Sequence, residues 1–546
     1  MSEKVTVTVK EGKVRGFKKT SIYSEVEYYS FLGVPYGQST TGQARFKEPV
    51  KVKPWNGVFD AINEKDGCIQ FSLLQKFKIC GSEDCLYNNI YTREIPAKGD
   101  PLKAVIVNIH PGGFYHGSPD PSHYGSPEFI IHHDIVYVCV GFRLNILGSL
   151  NLNLKDCSGN QNLKDIILSL RWIKDNIKNF GGDPENITIM GSSSGSAIVH
   201  FLLLSPLAKG LYHKAILMGM YVFSPALILP EENMTTAYRI GCDLGYKGEQ
   251  NDAKKLLSFY KKVPMFRFIV YKPEHYFNKV NMPVFPACPF LPTYESPEYS
   301  ENSAIPLPPE ELIPSTNRVP LMVGLCDREG IMGLLPLNRK KIKESFYTIL
   351  RQNKMGWGKN LNDDDLEKIQ QLVESFYNDG APVHMASMST QCDIITDIAL
   401  SDVYDSLINV ISADLPSSTY VYKFQYNGQL CTMKNRVSPL LEKPVEGAFH
   451  AADYSHWCYS STMVGKNLES MTPQDKEIID ILTSTITSFA KTGNPNCETL
   501  KVNWKPTNPD NPSYLTIDET PEVKDELLNG ERMEFWHNIK RQFKRD

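Results

Sequence analysis

The sequence has little of what several classes of protein require. No apolar run approaches the roughly 18 residues that a membrane-spanning helix needs, so we expect no transmembrane segment. No basic run is present, and 58 Lys and Arg against 62 Asp and Glu give a net charge of -4, which argues against nucleic acid as a partner. The 12 cysteines in 546 residues are too sparse for a disulfide scaffold, and no spacing of His and Cys suggests zinc. We therefore expect no metal site.

The first residues, Met1-Ser2-Glu3-Lys4-Val5, also lack the apolar core of a secretory signal. If Met1 is the native start, we expect a cytoplasmic protein; a secreted chain whose signal has been removed would look the same. In a reducing compartment the cysteines are expected to be buried free thiols.

What the chain does have is the composition of a globular protein, with 41% hydrophobic and 22% charged residues. Nearly continuous apolar runs at 104–109 and 135–140 predict strands covered on both faces, and 163–177 has helical apolar spacing. Alternation of such strands and helices predicts an α/β protein with a mostly parallel sheet. No linker stands out, so we expect one domain over 1–546.

The most informative stretch is 186–204. A β-branched run leads into Gly191-Ser192-Ser193-Ser194-Gly195, and an apolar helix-forming run follows. This order is typical of the nucleophile elbow of α/β-hydrolases, in which side chains at the two glycine positions would collide with the backbone. The pattern predicts Ser193 as the nucleophile and the Ser194 N–H as a donor to the substrate oxygen. A Gly/Ser turn without a catalytic role is the alternative.

A second glycine turn follows the predicted strand 104–109 and reads His110-Pro111-Gly112-Gly113-Phe114. Backbone N–H groups at glycines can approach a ligand closely, so this turn could bind a developing oxyanion. An ordinary tight turn is the alternative.

A serine nucleophile needs a histidine to accept its proton and a carboxylate to orient that histidine, in the chain order Ser, acid, His. Asp327 and Glu329 both follow the apolar strand 319–324, and chemistry alone allows either. His450 follows the β-like run 418–424 after a loop, and His456 lies close behind it in an aromatic string.

Several strings together resemble type-B carboxylesterases, the family that includes the cholinesterases, and they span nearly the whole chain. They are Phe31-Leu32-Gly33-Val34-Pro35-Tyr36, Arg45-Phe46, Ser82-Glu83-Asp84-Cys85-Leu86, Phe180-Gly181-Gly182-Asp183-Pro184 and Thr492-Gly493-Asn494-Pro495-Asn496. The resemblance implies an α/β-hydrolase fold with large insertions over the carboxyl edge of the sheet, and we assign 205–315 to helical and loop insertions of this kind. It also implies an Arg45–Glu83 ion pair. The family's disulfide at positions like Cys68 and Cys85 is not expected in a reducing compartment.

The resemblance aligns the catalytic acid with Glu329 and the base with His450. It implies N–H donors at Gly112, Gly113 and Ser194; Pro111 replaces a family glycine but occupies none of these positions. The implied activity is that of a cofactor-independent serine carboxylesterase acting on small to medium hydrophobic esters: xenobiotic, lipid or semiochemical. Organophosphates or carbamates would be its inhibitors, and insect α-type carboxylesterases are the most similar group.

Besides Pro111, three positions depart from the family pattern: Ser192 replaces the usual Glu, Ser194 the usual Ala, and Gly219 a frequent Ser. We expect reduced turnover with acylation intact, and a higher rate after the double substitution Ser192→Glu with Gly219→Ser. The alternative is a weakly catalytic member that sequesters hydrophobic esters or organophosphates, or a non-enzymatic interaction protein. Lipid or peptide cleavage uses the same triad, and no pattern secures the aromatic cation site of a cholinesterase.

Overall fold

A computed structural model describes residues 3–72, 78–222, 224, 227, 233–270, 289–334, 361–398, 402–412, 415, 418–441, 443–461, 468 and 471–543. At its centre is a sheet of 13 strands, accompanied by two small antiparallel pairs. In this part of the chain no helix is both long and apolar enough to cross a membrane.

The strands are numbered in chain order. They are β1 (Lys4–Val9), β2 (Gly12–Thr20), β3 (Glu27–Pro35), β4 (Val58–Asp60), β5 (Gln70–Ser72), β6 (Lys78–Cys80), β7 (Tyr87–Thr92), β8 (Lys103–Ile109), β9 (Val136–Val140), β10 (Asn151–Leu154), β11 (Cys157–Ser158), β12 (Gly182–Ser192), β13 (Lys214–Met218), β14 (Leu321–Cys326), β15 (Thr419–Phe424), β16 (Tyr514–Ile517) and β17 (Glu522–Lys524).

The order across the sheet is β1-β2-β3-β7-β9-β8-β12-β13-β14-β15-β16-β17, with β4 beside β2. Every neighbouring pair from β9 to β16 is parallel. The outer pairs along this order are antiparallel. This mostly parallel sheet confirms the predicted α/β class, and its parallel strands end along one common edge.

Helices flank the sheet. Those described are α1 (Asn145–Ser149), α2 (Gln161–Asn176), α3 (Ser194–Leu204), α4 (Asn233–Asp243), α5 (Ala253–Lys262), α6 (Met265–Ile269), α7 (Pro309–Leu312), α8 (Asp363–Asn378), α9 (Met388–Thr396), α10 (Asp402–Ile411), α11 (Thr432–Val437), α12 (Tyr454–Trp457), α13 (Pro473–Thr492) and α14 (Glu531–Phe543).

Helix α13 shows how local sequence sets such bounds. The Thr472 side chain accepts from the Asp475 N–H, and the Asp475 carboxylate accepts from the Thr472 N–H, which is a capping box. At the other end Gly493 has φ 80°, the left-handed conformation that ends a helix at little cost when the residue is glycine.

The two faces of the central strands enter different apolar cores. On β8, Val105 and Val107 belong to a cluster that includes Leu163 of α2 and Ile198 of α3. Ile106, between them, belongs to a second cluster with residues of α13. Helices therefore cover both faces of the parallel strands, as their continuous apolar sequence predicts.

The assignment of 205–315 to insertions was wrong in one part, because β13 lies in the centre of the sheet between β12 and β14. Its five residues are all buried. The strand is short and is bracketed by His213 and Gly219, so its apolar run was too brief to indicate a central strand. The remaining described elements of this range are short helices, and residues 271–288 lie outside the described part of the chain.

Candidate active site

Ser193 sits on a strained turn between a strand and a helix. Strand β12 ends at Ser192, α3 begins at Ser194, and Ser193 between them has φ 53° and ψ -127°. Such positive φ values are uncommon for a residue with a side chain and are retained where the surrounding structure holds them. Part of that support is the Ser193 N–H, which donates to the Met218 carbonyl at 2.8 Å. The turn places the serine at the carboxyl edge of the parallel strands.

The two glycines of the motif are required by close packing, which confirms the predicted collisions. A Cβ at Gly191 would lie 2.3 Å from the carbonyl carbon of Gly195. A Cβ at Gly195 would lie 2.1 Å from the Ile109 carbonyl oxygen at the end of β8. Any side chain at either position would have to displace backbone, so the elbow can form only with glycine there.

His450 contacts both of its predicted partners. Its Nε2 lies 2.9 Å from the Ser193 hydroxyl oxygen, and its Nδ1 hydrogen-bonds a carboxylate oxygen of Glu329. A carboxylate only accepts hydrogen bonds, so Nδ1 carries the proton and Nε2 of the neutral ring accepts from the serine. The arrangement is that of a serine, a general base and the acid that orients it.

Glu329 lies three residues after the end of β14 at Cys326 and opens a 3-10 turn, Glu329–Leu334. One carboxylate oxygen contacts His450, and the other accepts from the Cys326 N–H at 2.8 Å. The Glu329 side chain is fully buried. Asp327, the alternative acid, instead lies 3.0 Å from the Lys423 ammonium. The structure therefore brings Glu329 to the histidine and leaves Asp327 in an ion pair.

His456, the alternative base, is buried away from the serine. Its Nδ1 lies 2.8 Å from the Ala452 carbonyl oxygen, and its ring packs against Phe424 and Tyr426. Burial lowers the pKa of His456 to about 4. It is a neutral core histidine.

The charges around His450 favour its protonated form. Burial by itself lowers the pKa of His450, but the Glu329 carboxylate, through its charge and its hydrogen bond, and the Asp453 charge together raise it above 6.5. Asp453 is itself buried and accepts from the Tyr422 hydroxyl and the Tyr454 N–H, both at 2.7 Å. The imidazolium that forms when the base takes a proton is therefore stabilised by two carboxylates.

Asp453 was not anticipated from the sequence. Burial raises its pKa, as does the neighbouring charge of Glu329, while the Tyr422 hydroxyl acts in the opposite direction. The only sequence signal was an acidic residue three positions after the candidate histidine, on a stretch too irregular to orient.

The predicted oxyanion-hole residues lie on the same edge of the sheet as the elbow. The glycine turn begins immediately after β8, which pairs with β12 up to Ile109 and Gly191. Gly112 and Gly113 have φ 134° and 62°, values that favour glycine. Ser194 is the first residue of α3, where N–H groups have no acceptor within the helix and the helix dipole favours negative charge. All three positions are thus suited to donate to an oxyanion.

His110 supports the glycine turn from below, a role that the sequence did not indicate. Its ring stacks on Phe142 at 4.3 Å between centroids, and its Nδ1 lies 2.9 Å from the Pro111 carbonyl oxygen. Burial lowers the pKa of His110 to about 4, so the ring is neutral and its Nδ1–H donates to that carbonyl. This hydrogen bond holds the Pro111 carbonyl in one orientation.

Two positions that depart from the family pattern border this site. Ser192 is buried at the end of β12. Gly219 has φ 79°, and a Cβ there would lie 3.0 Å from a Glu329 carboxylate oxygen and 3.3 Å from the His450 ring. A serine at 219 would therefore meet backbone strain as well as both catalytic side chains. The rate increase expected from Ser192→Glu with Gly219→Ser stays a prediction, and this strain opposes it.

The predicted Arg45–Glu83 ion pair is confirmed: the guanidinium meets both carboxylate oxygens, at 2.6 and 2.7 Å. Cys68 and Cys85 are buried free thiols. Burial raises the pKa of the Cys85 thiol well above its ordinary value. Among the described residues, no cluster of three or more His, Cys, Asp or Glu side chains could hold a metal ion.

Comparison with known proteins agrees with this geometry. The model of the carboxylesterase family matches residues 3–536. Esterase E4 of Myzus persicae is 29% identical to this chain over 96% of its length and 93% of that protein's. Juvenile hormone esterase of Heliothis virescens is 28% identical over 91% of this chain and 87% of the other.

Solved structures agree as well. The chain is similar to the crystal structure of juvenile hormone esterase from Manduca sexta, with OTFP covalently attached: the TM-score is 0.83 and the identity 26%, over 99% of this chain and 100% of that one. PNB esterase, 24% identical over 97% of this chain and 99% of the other, shares the fold with a TM-score of 0.73. The protein is a carboxylic ester hydrolase of the α/β-hydrolase fold, and it belongs to the carboxylesterase family.

Proposed function

We propose that this hydrolase cleaves esters through a covalent acyl-enzyme on Ser193, with His450 as general base and Glu329 as the acid that orients it. The observation that carries this proposal is the continuous hydrogen-bonded row from the Ser193 hydroxyl through His450 to the buried Glu329 carboxylate. The Ser193 hydroxyl is thus hydrogen-bonded to its base, and a substrate carbonyl above the elbow would meet it in that arrangement.

In the first half-reaction the Ser193 oxygen attacks the ester carbonyl carbon while its proton moves to His450 Nε2. The carbonyl oxygen becomes an oxyanion, which the N–H groups of Gly112, Gly113 and Ser194 stabilise. The tetrahedral intermediate then collapses, the C–O bond to the alcohol breaks, and the alcohol leaves with the proton from His450. Glu329 stabilises the imidazolium between these two proton transfers.

The second half-reaction repeats the steps with water. His450 takes a proton from a water molecule, whose oxygen attacks the acyl carbon, and the second intermediate releases the carboxylic acid as Ser193 recovers its proton. No redox change or cofactor is required, since each proton that His450 accepts is returned.

We propose small to medium hydrophobic carboxylic esters, xenobiotic, lipid or semiochemical, as substrates. Support comes from the relatives, since esterase E4 and juvenile hormone esterase are insect esterases. We also expect organophosphates and carbamates to inhibit, because a nucleophilic serine with an adjacent base attacks their electrophilic centres.

The test uses the row of three serines at the elbow. Turnover of p-nitrophenyl acetate, butyrate and hexanoate is measured for the wild type and for Ser193→Ala, with Ser192→Ala and Ser194→Ala as matched controls. We expect Ser193→Ala to lower kcat by about 10⁶-fold, the usual loss when a serine nucleophile is removed. Both controls keep the hydroxyl of Ser193 and the N–H at 194, so their turnover should stay close to that of the wild type. A Ser193→Ala enzyme with wild-type turnover would exclude the proposal.

Slow turnover with rapid acylation is the second candidate, and the observation that favours it is Gly219. Gly219 borders both Glu329 and His450, but as a glycine it provides no side chain to support their contact. A burst of p-nitrophenol equal to the enzyme concentration, followed by a slow steady rate, would identify this behaviour; a linear time course from the first turnover would argue against it.

A further inference from the structure

The loops that carry Glu329 and His450 are joined by one arginine. The backbone N–H of Arg328 donates to the Ala448 carbonyl at 2.8 Å, and its side-chain Nε donates to the Glu446 carbonyl at 2.9 Å. Arg328 is the residue before Glu329, and its two acceptors lie two and four residues before His450. A short parallel bridge between Arg328 and Phe449 completes this junction.

The guanidinium is itself held in place. Its Nη1 hydrogen-bonds and ion-pairs with Asp393 of α9, and its Nε lies 3.1 Å from Asp327. Asp393 is in turn held at 2.9 Å by Arg532 of α14. Two helices distant in sequence therefore help to fix the position of Arg328: α9 through Asp393, and α14 through the contact of Arg532 with Asp393.

Glycine at 447 makes room for this contact. A Cβ at Gly447 would lie 2.8 Å from Arg328 Cγ and 3.0 Å from its Nε, and the residue has φ 114°. The Glu329 loop is also fixed to α9, because the Gly330 N–H donates to the Thr396 hydroxyl at 2.8 Å. The loop that carries Glu329 can therefore shift relative to the loop that carries His450 only if the contacts of Arg328 break.

We propose that Arg328 is a positioning residue of ester hydrolysis, whose guanidinium holds the Glu329 loop against the His450 loop and so sets the Glu329–His450 hydrogen bond. The inference rests on the proposed function, because it assumes that these two residues act together on Ser193. Arginine suits the role because its planar guanidinium carries donors on separate nitrogens in a fixed geometry, here Nε towards Glu446 and Nη1 towards Asp393, whereas lysine has one freely rotating ammonium.

The direction of a pH shift separates positioning from a charge effect. The carboxylates that face His450 are Glu329 and Asp453, and they hold its pKa above 6.5. If Arg328 positions the pair, its loss weakens the contact with Glu329, and the ascending limb of kcat/KM moves to lower pH. If Arg328 acted through its own positive charge, its loss would raise the pKa of His450 and move the limb to higher pH.

The charged groups around Arg328 make the effect of its own positive charge on His450 small. Asp327 and Asp393 both pair with its guanidinium, so the arginine is already neutralised by carboxylates. Lys423 and Arg532, the cations facing the same acids, lie at 3.0 and 2.9 Å from them and remain after the substitution.

The experiment compares Arg328→Gln and Arg328→Lys with the wild type in kcat, KM, the pH profile of kcat/KM and thermal unfolding. Arg45→Gln is the matched control, because Arg45 also pairs with a carboxylate and donates to a backbone carbonyl, that of Val263. We expect Arg328→Gln to lower kcat by about 10- to 100-fold, the cost of displacing a catalytic group by a fraction of an ångström to one ångström, with KM little changed. Its ascending limb should move to lower pH.

The kcat of Arg328→Lys should fall between those of the wild type and Arg328→Gln. Lysine keeps a cation that can reach Asp393 but loses the separate Nε donor to the Glu446 carbonyl. Arg45→Gln should unfold at lower temperature with its limb at the wild-type pH. A lower melting temperature for Arg328→Gln with an unmoved limb, or a limb moved upward, would overturn the proposal. If Arg328→Gln does not fold, Arg328→Lys and Asp393→Asn provide the same readout. Wild-type activity in Ser193→Ala would instead show that the proposed function itself is wrong.

Discussion

Replacing Glu329 with glutamine tests whether the neutral His450 ring must carry its proton on Nδ1 rather than on Nε2. The carboxylate accepts two hydrogen bonds, one from His450 Nδ1 and one from the Cys326 N–H at 2.8 Å. Glutamine has one accepting oxygen and one donating NH₂ group, so it cannot satisfy both donors. If its oxygen stays with Cys326, the NH₂ group faces Nδ1, and the ring must carry its proton on Nε2. That tautomer cannot accept the proton of Ser193.

The opposite orientation of the glutamine amide is less stable. With the glutamine oxygen on His450, the NH₂ group would face the Cys326 N–H inside a fully buried site, where an unpaired donor costs about 1 to 3 kcal/mol. The first orientation is therefore favoured, and kcat/KM should fall by about 10⁴-fold, the loss seen when the acid of a triad becomes an amide. This factor corresponds to about 5 kcal/mol of lost transition-state stabilisation.

The assay is kcat/KM for p-nitrophenyl butyrate, and Asp327→Asn is the matched control two residues away. Asp327 pairs with Lys423 and Arg328 rather than with a histidine. In this variant Arg328 keeps its contacts with Asp393 and with the Glu446 carbonyl. A partly exposed ion pair is worth up to about 1 kcal/mol, so the control should lose less than about tenfold. The reasoning is refuted if Glu329→Gln keeps its rate within tenfold of the wild type, or if Asp327→Asn shows the larger loss.

Three further predictions concern pH, packing and thiol reactivity. Because the pKa of His450 is raised above 6.5 and the ring must be neutral to act as a base, kcat/KM should rise with pH through an apparent pKa above 6.5. Gly195→Ala should lower the free energy of unfolding by about 3 kcal/mol in a denaturant titration, since its Cβ would lie 2.1 Å from the Ile109 carbonyl oxygen. Native protein treated with iodoacetamide should be alkylated at the exposed Cys242 and not at Cys458, whose thiol pKa burial raises to about 12; peptide mass spectrometry before and after unfolding measures both.

The parts of the site that could be predicted from the sequence are those whose geometry is local. Ser193 and its glycines lie within five consecutive residues, and the β-branched run before them and the apolar run after them predicted a strand, a turn and a helix. The choice of Glu329 over Asp327, and of His450 over its neighbour, rested on resemblance. Backbone hydrogen bonds from loops far apart in sequence decide which of these side chains faces the serine.

The supporting residues could not be predicted for the same reason. Two partners of Arg328, Asp393 and the Glu446 carbonyl, lie 65 or more residues away, and Tyr422 contacts Asp453 across 31 residues. No periodicity or motif encodes such contacts. Strand β13 was missed because five residues are too few for a pattern of burial to emerge without its neighbours in the sheet.

The most direct test of the central claim is to locate a covalent adduct. The protein is incubated with a dialkyl aryl phosphate, and intact mass followed by peptide sequencing locates the phosphoryl group within Ser192-Ser193-Ser194. We expect one dialkylphosphoryl group per chain, on Ser193, with labelling slowed strongly in His450→Ala and abolished in Ser193→Ala. A label on Ser192 or Ser194, or labelling at the same rate without His450, would contradict the assignment of Ser193 as nucleophile and His450 as its base.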